Sequence, residues 1–401
     1  MHVLITKDAN NKIRVVELDA YWNKLEKGYT ITRVTYQLGG KQTEQPSLLI
    51  SEGKANRTIK EQTTLEYKSI LKKYLDKGYK LLSKPLDAYT EIELHNKVGE
   101  IVTDANGFRK HMKAKQADKC KDSTIENVVC WYASRKVDGL RCSFNWDGKE
   151  IRSASRGGGD YDVATIPFRK HPKFIHFFRE HPDYILDGEL YKHGKSLQQI
   201  SGEARREKDI FGSNWLEYYI YDIMFADMLC KDRMELLDEI AQELNLSFDP
   251  EREWLDDELR IQMLPQVIVK GSDKKQQIQQ LHDEYVKEGW EGCVIRDASK
   301  PYKFGGRGQD MIKFKSYKDD EFEITGISEG LRLEDMCFTL KTKDNIEFKA
   351  KPMGSRELKE QYREDLPKLI GKMATVKYFY LSDDGTPLQP TLKAIRDYEN
   401  T

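Results

Sequence analysis

Long apolar runs are missing from this chain of 401 residues. No stretch approaches the roughly 20 residues needed to span a bilayer. With 33% charged residues, the composition fits a soluble protein with no membrane partner. The opening Met1-His2-Val3-Leu4-Ile5-Thr6-Lys7 lacks the apolar core of a signal peptide. Cysteine is sparse. The six, Cys120, Cys130, Cys142, Cys230, Cys293 and Cys337, include no C-x-x-C pair, which argues against a zinc finger and a disulfide framework and for a reducing cytoplasm. An excess of one charge is absent as well: Lys and Arg number 66 and Asp and Glu 67, for a net charge of −1. A nucleic-acid partner would therefore be met by local basic surface. No internal repeat, low-complexity tract or coiled coil stands out, so a monomer is expected. The length suggests two or three domains.

The order of patterns gives an α+β multidomain chain. Val3–Ile5, Ile13–Leu18, Tyr29–Tyr36 and Leu48–Ile50 read as strands, with Gly39-Gly40 as a turn signal. Thr58 to Leu75 reads as an amphipathic helix burying Ile59, Leu65, Ile70, Leu71 and Tyr74, with Gly78 as its stop. Pro85 to about Val102 reads as a linker and connecting helix. Residues 109–121 hold six Lys or Arg against one acid; such a run suits a phosphate backbone but is more often solvated surface. Residues 126–316 alternate short strands and helices, with helices expected over 231–264 and from Lys274 to Val286. From 317 onward, three strands, a helix and two strands follow, the order of a five-stranded OB-fold β-barrel, with Asp383-Asp384-Gly385 as the last turn.

Chemistry concentrates in the middle. Lys136-Val137-Asp138-Gly139-Leu140-Arg141 joins a lysine, a carboxylate, a glycine and an arginine after an apolar-leaning stretch. A free lysine is a poor nucleophile because its pKa is about 10.4; burial and neighbouring cations, here Arg135 and Arg141, would favour the neutral amine. Gly139 suits a tight turn. Ser155-Arg156-Gly157 and the glycines after it bring N–H groups and a planar cation together, which suits a phosphate, although a simple hairpin turn has the same composition. Asp187-Gly188-Glu189 and Glu291-Gly292 put carboxylates at strand ends. The aromatics of Tyr218–Phe225 read as core, unless one faces a cleft and holds a purine. Lys313 and Lys315 alternate and so share one strand face.

With these pieces in order, the chain resembles the ATP-dependent DNA ligases of the covalent nucleotidyltransferase superfamily over roughly 100–401. The motifs are Lys136-x-Asp-Gly-x-Arg141, Ser155-Arg156-Gly157, Asp187-Gly188-Glu189, Tyr221-Asp222, Glu291-Gly292-x-Val-Ile-Arg296 and Lys313-x-Lys315, followed by Lys318-Asp319-Asp320-Glu321. The resemblance implies that Lys136 attacks the α-phosphorus of ATP and carries AMP. It gives Lys313 and Lys315 the α-phosphate, Tyr221 the adenine, and Glu189 the ribose or a metal. Glu291 would hold Mg²⁺, with Glu189 and Asp138 as further candidate ligands, and Asp138 would act near the nick's 3′-hydroxyl. Arg141 and Arg156 would hold the nucleotide sugar and the nick's 5′-phosphate. The partner implied is nicked double-stranded DNA.

Two departures stand out: Arg396-Asp397-Tyr398-Glu399, beside Lys393, replaces the usual Arg-x-Asp-Lys, and His111-Met112-Lys113-Ala114 replaces Pro-Met-Leu-Ala. The first 84 residues resemble a WGR-like domain through Tyr21-Trp22, Gly53–Thr58 and Lys72–Tyr79, with Asn23-Lys24 in place of its Gly-Arg. Lys54, Arg57, Lys72 and Lys73 would be its DNA-binding cations. The expected domains are therefore 1–84, an adenylation domain 85–316 and an OB domain 317–401. Competing readings are an RNA ligase, a capping guanylyltransferase, or a non-catalytic nucleic-acid tether. The Gly-x-Arg after the lysine favours DNA, and no helical NAD-recognition or cysteine-rich module is visible.

Overall fold

The computed structural model describes residues 1–8, 12–99, 107–161, 163–206, 215–328 and 335–396. They form two compact units. One holds residues 1–17, 35–43 and 68–315, the other 18–34, 44–67 and 316–401. The break after Lys315 falls beside the expected 316/317 boundary, whereas residues 1–84 divide between the units. Among the described residues no helix is long and apolar enough to cross a membrane.

The first four strands lie where alternation predicts them: β1 (His2–Lys7), β2 (Ile13–Asn23), β3 (Gly28–Gln37) and β4 (Thr43–Ile50). With the short β5 (Lys80–Leu81) they make a sheet of order β4-β3-β2-β1-β5. The amphipathic helix spans Ile59–Asp76. Ile59, Ile70, Leu71 and Tyr74 are half-buried on its expected face, but Leu65 is exposed, a correction, and the fully buried residues are Gln62 and Thr63. Thr63 is accommodated there because its hydroxyl donates to the Ile59 carbonyl at 2.7 Å.

Ten strands build the middle of the chain. They are β6 (Lys113–Gln116), β7 (Cys130–Lys136), β8 (Leu140–Trp146), β9 (Ile151–Ser155) and β10 (Ile185–Tyr191), then β11 (Glu217–Ile223), β12 (Ile261–Met263), β13 (Val267–Lys270), β14 (Gly292–Asp297) and β15 (Arg307–Lys315). They pair as two five-stranded sheets, β12-β11-β10-β8-β9 and β13-β7-β14-β15-β6. The core is aromatic. Trp131, Phe144 and Tyr218 from the strands meet Phe174, Phe177 and Phe178 from the helix Pro172–Glu180. The i, i+3, i+4 spacing of those phenylalanines puts all three on one helical face. The expected helices over 231–264 reduce to one, Cys230–Glu243; turns and β12 follow, because Pro250 and the polar turn residues after it end the helical period. The helix from Lys274 extends to Lys287.

The C-terminal strands β16 (Lys318–Ser328), β17 (Cys337–Lys341), β18 (Glu347–Pro352), β19 (Met373–Tyr378) and β20 (Thr391–Ile395) close a barrel of order β16-β17-β18-β20-β19. Every second residue points inward, and Ile324, Phe338, Leu340, Ala350, Val376 and Leu392 fill the interior. The helix Arg356–Glu364 comes between β18 and β19, as expected. The Ser382–Thr386 turn closes on Ser382 N–H to Thr386 O at 2.8 Å, with Gly385 in the left-handed region at φ +79.

Candidate active site

The chain leaves one central sheet and enters the other between Lys136, the last residue of β7, and Leu140, the first of β8. The crossing is tight. A Cβ on Gly139 would stand 2.4 Å from the Leu190 carbonyl oxygen and 2.8 Å from Glu189 Cγ. Gly139 is thus required for close approach to β10 rather than for a left-handed turn, which revises the sequence-based reason for it. The crossing opens a cavity of about 480 Å³, lined among others by Lys136, Val137, Glu189, Tyr221, Val294 and Lys313. This volume suits a nucleotide-sized ligand, and the cations that share the lining, Lys113, Arg141, Arg156, Arg205 and Arg296 among them, suit a phosphate.

Strand register sets one wall. Across β7, β14 and β15, Lys136 lies opposite Gly292, and Gly292 opposite Lys315. Glu291 comes immediately before, its N–H bonded to the Lys136 carbonyl at 3.0 Å. Its carboxylate therefore sits between the two lysines and forms ion pairs with both Lys136 and Lys315. Lys313 lies two residues along β15 and lines the cavity, so the shared face expected for the two lysines is observed.

Electrostatics here differ from the simple expectation for Lys136. Burial works against its ammonium, but Glu291, then Glu189 and Asp138, outweigh burial and raise its pKa. The expected cationic neighbours are otherwise engaged. Arg135 forks onto Glu288, at 2.8 and 3.1 Å, and Arg141 onto Asp187, at 2.9 and 2.5 Å. Lys136 is thus held as an ammonium in an acidic nest. Lys313 behaves oppositely: burial, then the neighbouring Lys315 and Lys136, push it down to about 8. Burial pushes the Glu189 carboxyl up to about 7, opposed by Lys136 and Arg141 and reinforced by Glu291 and Asp138.

The second sheet supplies the opposite wall. Arg141 on β8 pairs with Glu189 on β10 in the ladder, and Asp187 is two residues away. Asp187 is fully buried and accepts from Arg141 twice and from the Tyr302 hydroxyl at 2.7 Å. Burial alone would raise its carboxyl, but Arg141 outweighs burial and keeps it below the usual range. Arg141 also donates to the Met112 carbonyl at 2.5 Å and the Tyr302 oxygen at 3.1 Å. So committed, Arg141 borders the cavity with four of its five N–H donors engaged inside the protein. Tyr221 is nearly buried, lines the cavity, and donates to the Gly188 carbonyl at 3.2 Å.

Comparison with known proteins gives the same assignment. The model for the ATP dependent DNA ligase domain matches residues 111–315. The chain belongs to that family. A DNA ligase of African swine fever virus is 28% identical over 247 residues, covering 57% of this chain and 54% of the relative. A DNA ligase of Haemophilus influenzae is 27% identical, covering 64% of this chain and 83% of the relative. The chain thus spans about half the length of the viral relatives it matches. Among solved structures, Pmar-Lig_PreS3 superposes with a TM-score of 0.58 at 16% identity over 72% of this chain and 67% of that one. A structure of a Lig E DNA ligase gives 0.52 at 17% identity over 72% of this chain and 100% of that one. At these identities the superpositions speak to the fold, which is a mixed α/β multidomain one.

Within this ligase domain the structure brings together Lys136, Glu189, Tyr221, Glu291, Lys313 and Lys315. Asp138 is half-buried beside them, acting through its charge on Lys136 and Glu189. Arg156 is exposed at the rim, in a turn closed by Ser155 N–H to Gly159 O at 2.7 Å. Lys54 and Arg57 belong to the other unit; Arg57 donates to the Lys54 carbonyl and to Gln62. Lys72 is given to Asp76. Of the C-terminal motif, Asp397, Tyr398 and Glu399 lie outside the described residues; Arg396 pairs with Glu321 and Lys393 with Asp319. Sequence reading missed Asp187 and Tyr302 as the groups that fix Arg141. The need of a buried guanidinium for a carboxylate partner was the available signal. Among the described residues no group of three His, Cys, Asp or Glu side chains stands close enough to form a metal cage.

Proposed function

We propose that this protein is an ATP-dependent DNA ligase that seals nicks in duplex DNA, and the observation that carries the reading is the cross-strand row Lys136–Glu291–Lys315 beside a nucleotide-sized cavity that Lys136 and Lys313 line. ATP binds with its adenine against Tyr221 and its ribose near Glu189. Lys136 attacks the α-phosphorus as the free amine, so its ammonium first gives up a proton to solvent, and with that proton the ion pair with Glu291 is lost. The new N–P bond displaces pyrophosphate and leaves AMP on Lys136. Lys313 and Lys315 meet the charge that gathers on the α-phosphate oxygens, already in position before the reaction begins. AMP then passes to the nick's 5′-phosphate, held by Arg156. The 3′-hydroxyl, beside Asp138, attacks that phosphate and releases AMP, forming the phosphodiester bond. The protein contributes mainly positioning and charge neutralisation.

The cluster also fits Mg²⁺. Burial, with the charges of Glu291 and Asp138 added to it, raises the Glu189 carboxyl, and a divalent cation beside these carboxylates would relieve that repulsion. Mg²⁺ is commonly bound by one or two carboxylates plus substrate phosphates rather than by a full protein cage. Bound there by Glu291 and Glu189, it would supply further neutralisation of the phosphate charge. We read the C-terminal barrel as an OB fold and the first 84 residues as a WGR-like part that contacts DNA through the exposed Lys54 and Arg57. We further propose a monomer working in the cytoplasm.

The test is incubation with α-labelled ATP and Mg²⁺ without DNA, then a denaturing gel and acid treatment. An acid-labile label is expected, absent in Lys136→Ala at unchanged folding. Label from GTP but not ATP would turn the reading to capping. No label from any nucleotide, on protein free of pre-bound AMP, would leave the non-catalytic tether.

A further inference from the structure

The same unit holds a second hollow, a groove of about 730 Å³. Lys113, Ser155, Arg156 and Gly157 line both it and the nucleotide cavity, so the two adjoin. The rest of the groove is drawn from distant parts of the chain: Lys7, Arg14 and Lys77 from the N-terminal region, and Arg307 from β15. Two carboxylates also line it, Asp8 and Asp76, and each has a partner. Asp76 takes Lys72 at 3.3 Å, and Asp8 accepts the Lys12 backbone N–H at 3.1 Å. The cations crowd one another. Burial, then Arg156, Arg307, Lys77 and Arg141, lower the Lys113 pKa. His111 lines the groove as well, buried, its Nε2 without a hydrogen-bond partner.

Lys7, Arg14, Lys77, Lys110, Lys113, Arg156 and Arg307 outnumber the two carboxylates around this hollow, and such a cationic excess forms a site for a polyanion. We infer that this groove carries the phosphodiester backbone of the nicked duplex beside the nick, with Arg14 and Lys77 contacting phosphates that the nucleotide cavity does not reach. The inference rests on the ligase reading and extends it to a DNA track between the N-terminal region and Arg156. The alternative source of the same chemistry is the triphosphate tail of ATP. The backbone is favoured because Arg14 and Lys77 do not line the nucleotide cavity, and because the shared Arg156 wall makes one continuous cationic path. Duplex DNA presents a charge about every 1.7 Å along its axis, a spacing that such a path can follow.

The experiment compares the full chain with the double variant Arg14→Gln, Lys77→Gln. Both residues are exposed, so folding is expected to survive, and thermal unfolding checks it. One arm measures binding of a fluorescent nicked duplex over a range of salt. The other measures labelling of Lys136 as a function of ATP concentration without DNA. The expected result is DNA binding weakened about tenfold at moderate salt, a salt slope shallower by about 2 for two lost phosphate contacts, and unchanged labelling. Unchanged DNA affinity and slope in a folded variant would overturn the inference. A raised ATP requirement with DNA binding unchanged would overturn it too, assigning the groove to the triphosphate. Failure of the wild type to label would strike the ligase reading alone, since the DNA-binding arm needs no adenylation.

Discussion

Two buried charge systems face the same cavity from different sheets. On β8 and β10, Arg141 and Asp187 are joined by two hydrogen bonds, and Tyr302 and the Met112 carbonyl take up further capacity. On β7, β14 and β15, two lysines share the single carboxylate of Glu291, with Glu189, Asp138 and Lys313 crowded around them. In the first system both oxygens of the carboxylate and four of the five guanidinium N–H groups are satisfied. The second is over-supplied with charge of both signs, and two of its members, Glu189 and Lys313, are displaced to about 7 and about 8. A buried pair that is satisfied fixes geometry; one that is frustrated is available for chemistry.

The largest effect on stability is expected from breaking the closed pair. Asp187→Asn strands the Arg141 charge in the interior and should cost about 3–5 kcal/mol, read as a lower urea midpoint. Combining Arg141→Met with Asp187→Leu should recover most of that loss, because no charge is then left unpaired. If the single and double changes cost the same, the fork is not what holds the wall.

The open cluster should respond in the opposite sense. Glu189 has its folded pKa raised to about 7, so it binds a proton more tightly folded than unfolded. Its contribution therefore favours the folded state below the unfolded carboxylate range and is lost as pH rises toward 7. Glu189→Gln should raise stability by roughly 1–3 kcal/mol at pH 8, and by much less at pH 5, measured by urea unfolding at both. An equal change at both pH values would sink this account, and nucleotide labelling should fall in the same variant.

The smallest effect concerns Lys313. With its pKa near 8, it must take up a proton to meet a phosphate at higher pH. ATP affinity by calorimetry should fall about tenfold per pH unit above 8, and Lys313→Gln should flatten that dependence. A wild-type affinity that is level from pH 7 to 9 would count against the shifted lysine.

Much of this arrangement was legible in the chain. Period-two alternation put Lys313 and Lys315 on one face, and the strand–helix order of the last domain came out in the barrel β16–β20. Lys136, Glu189, Tyr221 and Glu291 were identified by motif, and they do converge. The helix face was less readable. Leu65 is exposed while Thr63 is buried, because a hydroxyl bonded back to its own helix can be buried without cost to the period. The charge state of Lys136 was misread for a similar reason. Arg135 and Arg141 are its nearest cations in sequence, yet each is turned away to a carboxylate far along the chain, Glu288 and Asp187.

The sequence by itself determined the kinds of groups and their local direction: strands by alternation, a lysine at a strand end, carboxylates beside glycines, a barrel after residue 316. Tertiary structure alone decided the partners. Register across β7, β14 and β15 placed Glu291 between Lys136 and Lys315, and the crossing at Gly139 brought β10, with Glu189, against them. Those neighbours are on average far apart in the chain. Electrostatic energies depend on separation in space and on burial, so the protonation of the reactive lysine became readable only once the sheets were paired.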